Sequence, residues 1–295
     1  MHHDELDLED ELVAGLIDSQ FPQWAGLELA PLLPWGTDNA LFRLGDDKLL
    51  RLPRRERSTG QVEKDVRWLP VLAPRLPVAI PEVLAVGRPA DGYPWTWGVY
   101  RRLVGETLPA DRLEEAGSTA GALARFLIAL RSVGTDGGPA GISRGVPLVV
   151  RDEAARAAIA ELGDQIDGRA ATALWEEALG APDWDREPTW IHGDLMPGNI
   201  LIDNGQLAGV IDWSLLSVGD PACDLMMAWM FLDALARERL RAELEVDDAS
   251  WERGRGWALS SALIALPYYR ETNRPFADYA RRTLAEIGVA VGPGA

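Results

Sequence analysis

The 295 residues suffice for one large domain or two packed lobes, and 47% of them are hydrophobic, an ordinary share for a globular chain. Forty-six acidic against 29 basic side chains give a formal charge of −17, which argues against nucleic acid as a partner; it leaves either solubility or attraction of a cationic small substrate. No apolar run reaches the roughly 18 residues of a membrane span, and three histidines are too few for a histidine-based metal centre.

Residues 1–10 are acidic and lack the order of a signal peptide. The lone Cys223 cannot form an internal disulfide and reads as a small buried residue, so a cytoplasmic location is expected. Leu8, Leu12 and Leu16 recur at helical spacing and predict a helix over 4–19. Residues 27–54 read as strands with turns. Leu41, Phe42 and Leu44 form one, Gly45-Asp46-Asp47 turns the chain, and 48–52 form the next, ended by Pro53. A helix is expected over 58–72. Pro74, Pro77 and Pro81 then impose an extended passage. Strands over 83–86 and 97–100 flank a turn at Asp91-Gly92, and alanine- and leucine-rich helical stretches cover 118–133 and 151–179. A strand-rich region, residues 1–103, thus precedes a mainly helical one, residues 104–295.

The chemistry concentrates in residues 189–213. A strand at 189–191 leads into a polar loop, HGDLMPG, at 192–198. Strands at 199–202 and 207–211 are joined by Asp203-Asn204-Gly205, a strong hairpin signal. Pairing of those strands brings Asn199 and Asp212 to the same end of the ladder, with Asp194 on the loop entering it. Magnesium takes hard oxygen ligands and draws one or two from protein, a role suited to Asn199 and Asp212. Asp194 is placed to accept or orient the proton of an attacking hydroxyl. His192 reads as a residue that organises the loop by hydrogen bonding, while Asp220 and Asp224 suit the start of a helical stretch.

The run 191–200, with Ile211-Asp212-Trp213 and the GDPACD of 219–224, resembles the aminoglycoside phosphotransferase family. The spacing of Asp194 and Asn199 is similar to the protein-kinase catalytic loop, and Asp212 matches the kinase metal-binding aspartate. The resemblance implies an α+β, two-lobed protein-kinase-like fold, with a small antiparallel-sheet lobe for nucleotide and a larger helical lobe for catalysis and acceptor. It implies magnesium, ATP or GTP as co-substrate, and a small-molecule hydroxyl acceptor. An aminoglycoside-like antibiotic is favoured; a macrolide, sugar, choline or amino alcohol is the alternative, as is a nucleotide-binding protein that has lost catalysis.

Residue by residue, the resemblance places the nucleotide loop at Gly36, Thr37, Asp38 and Asn39. It puts Arg51 where related kinases carry a phosphate-binding lysine, paired with Asp65; Glu63 lies about 200° away around the helix. Arginine retains the ability to clamp phosphate through two parallel hydrogen bonds. Backbone groups of Arg101 and Leu103 would face the purine, and Asp220 and Asp224 would brace the catalytic loop. The acids Asp233, Glu238, Glu243, Glu245, Asp247 and Asp248 offer partners for a cationic acceptor, and Tyr268 and Tyr269 are candidates to close over it.

Overall fold

The computed structural model describes residues 6, 8–33, 38–90, 92–108 and 119–292. The chain falls into two compact units, Met1–Pro74 with Ala79–Val104 and Arg75–Val78 with Gly105–Ala295.

In the first unit, α1 (Asp10–Gln20) precedes β1 (Leu29–Pro31), β2 (Asn39–Leu44) and β3 (Lys48–Pro53). Helix α2 (Gln61–Leu72) follows, then β4 (Val83–Gly87) and β5 (Trp97–Arg101). The strands form one antiparallel sheet in the order β1-β2-β3-β5-β4. Alternation sorts the side chains. Ala40, Phe42, Leu44, Leu50, Leu52 and Val99 are buried in one core with Val13, Leu16 and Ile17 of α1. Arg51 and Tyr100 therefore stand on the other face, Arg51 opposite Gly98 and Tyr100 opposite Leu49. A Cβ on Gly98 would come within 2.5 Å of the Tyr100 ring, so the glycine leaves room for that ring to lie along the strand. The predicted helix over 4–19 starts late, at Asp10. Leu6 lies before it, its amide donating to the Arg54 carbonyl at 3.0 Å.

The second unit opens with β6 (Glu106–Thr107), α3 (Ala120–Arg131), α4 (Asp152–Leu162) and α5 (Gly168–Gly180). Then come β7 (Thr189–Ile191), β8 (Ile200–Asp203), β9 (Gln206–Val210) and β10 (Ser217–Gly219). Helices α6 (Met227–Met230), α7 (Ala234–Glu243), α8 (Asp248–Tyr269) and α9 (Arg274–Ile287) complete it. The strands make two small sheets, β6-β8-β9 and β10-β7. Asn204 and Gly205 have φ of 48° and 73°, the signature of a two-residue hairpin turn, and set Ile200 opposite Val210. The single helical stretch expected over 151–179 is two helices. Asp167 interrupts it by capping α5, accepting from the amides of Arg169 and Ala170 at 3.1 and 3.0 Å. Trp175, Trp190, Trp213 and Trp257 are all fully buried in this unit, which accounts for part of the high tryptophan content.

Gly98→Ala is expected to destabilise the first unit by about 1–3 kcal/mol, the usual cost of overpacking. Chemical denaturation would check this; an unchanged midpoint would show that Tyr100 does not need the space.

Candidate active site

Strand β7 delivers the chain into the loop 192–199. Gly193 has φ of 83°, and a Cβ there would meet the Leu215 carbonyl oxygen at 2.9 Å, so no larger residue fits. The carboxylate of Asp224, fully buried in the 3₁₀ segment Pro221–Met226, accepts the amides of His192 at 2.9 Å and Gly193 at 2.7 Å. Burial pushes the Asp224 carboxyl up, and the two amide bonds and nearby Arg131 oppose that shift. The imidazole of His192 is fixed at both nitrogens. The Asp194 amide donates to Nδ1 at 3.2 Å, so Nε2 carries the hydrogen and donates to the Ile211 carbonyl at 3.0 Å. Trp213 packs edge-on against the same ring at 4.8 Å.

Asn199 ends the 3₁₀ turn Pro197–Asn199 rather than opening the strand. Its Nδ2 donates to the backbone oxygen of Asp194 at 2.8 Å and to Oδ2 of Asp194 at 3.1 Å. The Ile211 amide donates to the Asn199 carbonyl at 2.9 Å, so Ile211 is held through both of its backbone groups, and Asp212 follows it directly. Asp212 has φ of 58°, a left-handed conformation that costs a residue with a Cβ about 1–3 kcal/mol and persists only where neighbours impose it. Asp194 is partly buried. That burial is the main cause pushing its carboxyl above the usual range, Asp212 adds to it, and Arg144 and the Asn199 hydrogen bond oppose it.

This donor set fits magnesium. With Nδ2 of Asn199 bound to Asp194, the amide oxygen is the group left to a cation, and Asp212 adds a carboxylate. Among the described residues no group of three or more His, Cys, Asp or Glu could hold a metal.

Asp220 caps the 3₁₀ segment through the Ala222 amide at 2.9 Å and pairs with Arg253 of α8 through Nε at 2.8 Å, both side chains buried. Arg253 also reaches Ser250 Oγ at 3.2 Å. The pair ties the segment carrying Asp224 to the longest helix.

In the first unit, Arg51 Nη1 lies 3.9 Å from Asp65 Oδ2. Asn39 Oδ1 accepts from Arg51 Nη2 at 3.0 Å and Nε at 3.2 Å, the amide orientation that satisfies both side chains. The buried Asp65 carboxylate accepts from Gln61 Nε2 at 2.6 Å and from the Tyr100 hydroxyl at 2.8 Å. Burial pushes the Asp65 carboxyl up, with Arg51 the strongest opposing influence. Burial likewise pushes the Tyr100 phenol up, so it remains a donor. Glu63 is exposed.

Gly36 and Thr37 lie outside the described residues. Asp38 binds Arg57 at 3.0 Å on the surface. The Arg101 amide is engaged by the Glu82 carbonyl at 2.9 Å, and its side chain pairs with Glu82; Leu103 lies just past β5. Tyr268 and Tyr269 meet edge to face at the end of α8, and Tyr269 also packs at a tilt against Phe276 of α9. The downstream acids are largely engaged in caps and ion pairs. Asp233 caps α7, Asp247 caps α8 and binds Arg186, Glu243 binds Arg239, and Asp248 binds Arg241. Glu238 and Glu245 are exposed.

Sequence reasoning did not single out Tyr100, Gln61, Arg253 or Arg144, whose Nε donates to the Gly193 carbonyl at 3.0 Å. The signal for Gln61 was available, since it stands four residues before Asp65 on a helix. The other three partners are distant in sequence.

The family model for the phosphotransferase enzyme family matches residues 30–257. A 62-residue segment is 42% identical to an uncharacterized protein, YcbJ, of Bacillus subtilis strain 168; the match covers 19% of this chain and 20% of that protein's length. The structure of the GDP complex of wild-type aminoglycoside 2'-phosphotransferase-IIIa superposes with a TM-score of 0.76 at 21% identity, covering 95% of this chain and 98% of the other. The macrolide 2'-phosphotransferase MphH of Brachybacterium faecium gives 0.64 at 23% identity, covering 94% and 98%. The fold is therefore the α+β, protein-kinase-like one expected from the sequence.

Asp194 binds its proton more tightly folded than unfolded, so its contribution to stability falls as pH rises from the ordinary aspartate value, about 3.9, through the folded one. Asp194→Asn should then raise the melting temperature at neutral pH, with the gain disappearing below about pH 4. Thermal melts across pH check this; a lower melting temperature at neutral pH would refute it.

Proposed function

The chain belongs to the phosphotransferase enzyme family; from that premise we propose that it is a magnesium-dependent kinase moving the γ-phosphoryl group of ATP or GTP to a hydroxyl of a small molecule. The observation that carries this reading is the meeting of Asp194, Asn199 and Asp212 at the ends of β8 and β9, each pinned through its own or its neighbour's backbone.

Asp194 would take the acceptor's hydroxyl proton as that oxygen bonds to phosphorus and the bond to the nucleoside diphosphate breaks. Its raised affinity for a proton suits this task. The Asn199 amide oxygen and Asp212 would hold magnesium, which when bound neutralises phosphate charge. Arg51, steadied between Asn39 and Asp65, would hold phosphate oxygens in place of a lysine. Asp224 and Asp220 would act by fixing the loop, and the Leu103 backbone would meet the purine. Most of the work is positioning.

Among acceptors, the family resemblance and the aminoglycoside phosphotransferase neighbour favour an aminoglycoside-like antibiotic, while the macrolide neighbour supports a macrolide. The engaged state of the downstream carboxylates weighs against a polycation, because those groups already have partners.

Turnover of ATP or GTP with a panel of hydroxyl acceptors, read by product mass, tests the proposal. Activity should require magnesium, and Asp194→Ala should lower kcat by about 10²–10⁴-fold, the usual size of a general-base contribution. Nucleotide binding with no transfer to any acceptor would overturn it. The acid limb of kcat/KM should also fall above the ordinary aspartate value of about 3.9, because Asp194 must be ionised to act and its carboxyl is pushed up. An acid limb at or below that value would argue that another group is the base.

A further inference from the structure

Two arginines, one of them bound to the loop 192–199, stand out in a chain of charge −17. Arg144 donates through Nε to the Gly193 carbonyl at 3.0 Å and through Nη1 to its neighbour Ser143 at 3.1 Å. Arg151 reaches Ser260 Oγ at 3.5 Å. Neither forms an ion pair with a carboxylate among the described residues, whereas Arg237, Arg239, Arg241, Arg253 and Arg255 of the same unit do. Both are half-buried.

The two guanidinium groups converge on one indole, Arg144 at 5.3 Å and Arg151 at 5.9 Å from the Trp257 ring centre. An aromatic face attracts a cation, but it does not remove the repulsion between two of them. That repulsion registers at Arg151, whose affinity for its proton is pushed down to about 10 by burial and by Arg144. The Trp257 indole N–H is itself buried without an acceptor among the described residues. The neighbourhood is thus rich in donors and poor in negative charge. Arg144 also acts on the carboxylate of Asp194.

We propose that Arg144 and Arg151, which meet over Trp257 with Arg144 bound one residue from Asp194, form an acceptor subsite for a negatively charged group, a carboxylate or a phosphate, so that the acceptor is an anionic hydroxyl compound. The word acceptor rests on the phosphoryl-transfer reading; the anion subsite does not. Arginine suits either group, since its planar fork matches both through paired hydrogen bonds. An anion here would offset the repulsion between the two cations. It would also hold a hydroxyl-bearing molecule within reach of the loop at Gly193, one residue from Asp194.

The test uses four probes with one carbon skeleton and different charge: gluconate, glucose 6-phosphate, glucose and glucosamine. Binding to the full chain is measured by calorimetry, and phosphorylation by product mass. At least one of the two anions should bind roughly tenfold or more tightly than glucose, as expected for a charge-assisted contact, and glucosamine should be weakest. The stronger of the two anions identifies the group. Arg151→Gln should bring anion and neutral sugar to within a few-fold of each other, and Arg151→Lys should restore part of the difference. Thermal melts of both variants show whether they fold. A folded Arg151→Gln that keeps the preference overturns the proposal. So does a wild-type chain that prefers glucosamine, shows no preference, or binds neither anion. Magnesium-dependent binding of ATP, measured without acceptor and lost in Asp212→Ala, reports on the kinase reading separately. If that binding is absent while the anion preference persists, phosphoryl transfer fails and the anion subsite stands.

Discussion

The carboxylate of Asp224 fixes the site on which the rest of the large unit depends. A buried carboxylate is unfavourable unless donors surround it, and here the donors are the amides of His192 and Gly193 themselves. Moving the loop would therefore strand a desolvated charge. The constraint propagates outward through His192, whose two ring nitrogens join the Asp194 amide to the Ile211 carbonyl. From there the Asn199 carbonyl holds the Ile211 amide, and Asp212 inherits its strained backbone. One buried charge thus fixes three chemically important side chains through backbone bonds, without touching any of them. Asp220 and Arg253 support the same segment from the other side, by a second buried pair.

The small unit uses the same logic in a different form. Asp65 is buried, and its four-sided environment of Gln61, Tyr100, Arg51 and α2 leaves it little freedom. Arg51 is held mainly by Asn39, through two hydrogen bonds, and only loosely by Asp65 at 3.9 Å. Arg51 thereby has an anchor at the start of β2 in addition to Asp65. An arginine so placed presents a fixed fork rather than a mobile point charge.

Much of the fold and of the central site was legible because its signals are local. Asn204-Gly205 dictates a hairpin, and the hairpin places Asn199 near Asp212 within a span of fourteen residues. Alternation in β2 and β3 sorted core from the Arg51 face for the same reason. What stayed hidden depends on partners far apart in the chain. Tyr100 meets Asp65 across 35 positions, Arg253 meets Asp220 across 33, and Arg144 meets Gly193 across 49. No periodicity encodes such pairings. The errors at element ends have a similar origin: Leu6 left its expected helix for a contact with Arg54, and Asp167 capped a helix where the apolar pattern ran on.

Charge shows most clearly how a sum misleads about a site. A net −17 invites the expectation of an acidic pocket for a cation. Yet a carboxylate can attract a ligand only if nothing nearer already claims it. Asp233 and Asp247 hold helix amides, Glu243 and Asp248 hold arginines, and Asp220 and Asp224 are buried under their own donors. These six acids are in this sense structural. Arg144 and Arg151 form no ion pair with a carboxylate among the described residues, and they meet over the Trp257 ring. In a half-buried setting, where solvent screens weakly, that local imbalance outweighs distant surface charge. On the proposal made above, selection of the acceptor would rest on two guanidinium groups and one indole, not on the chain's total charge.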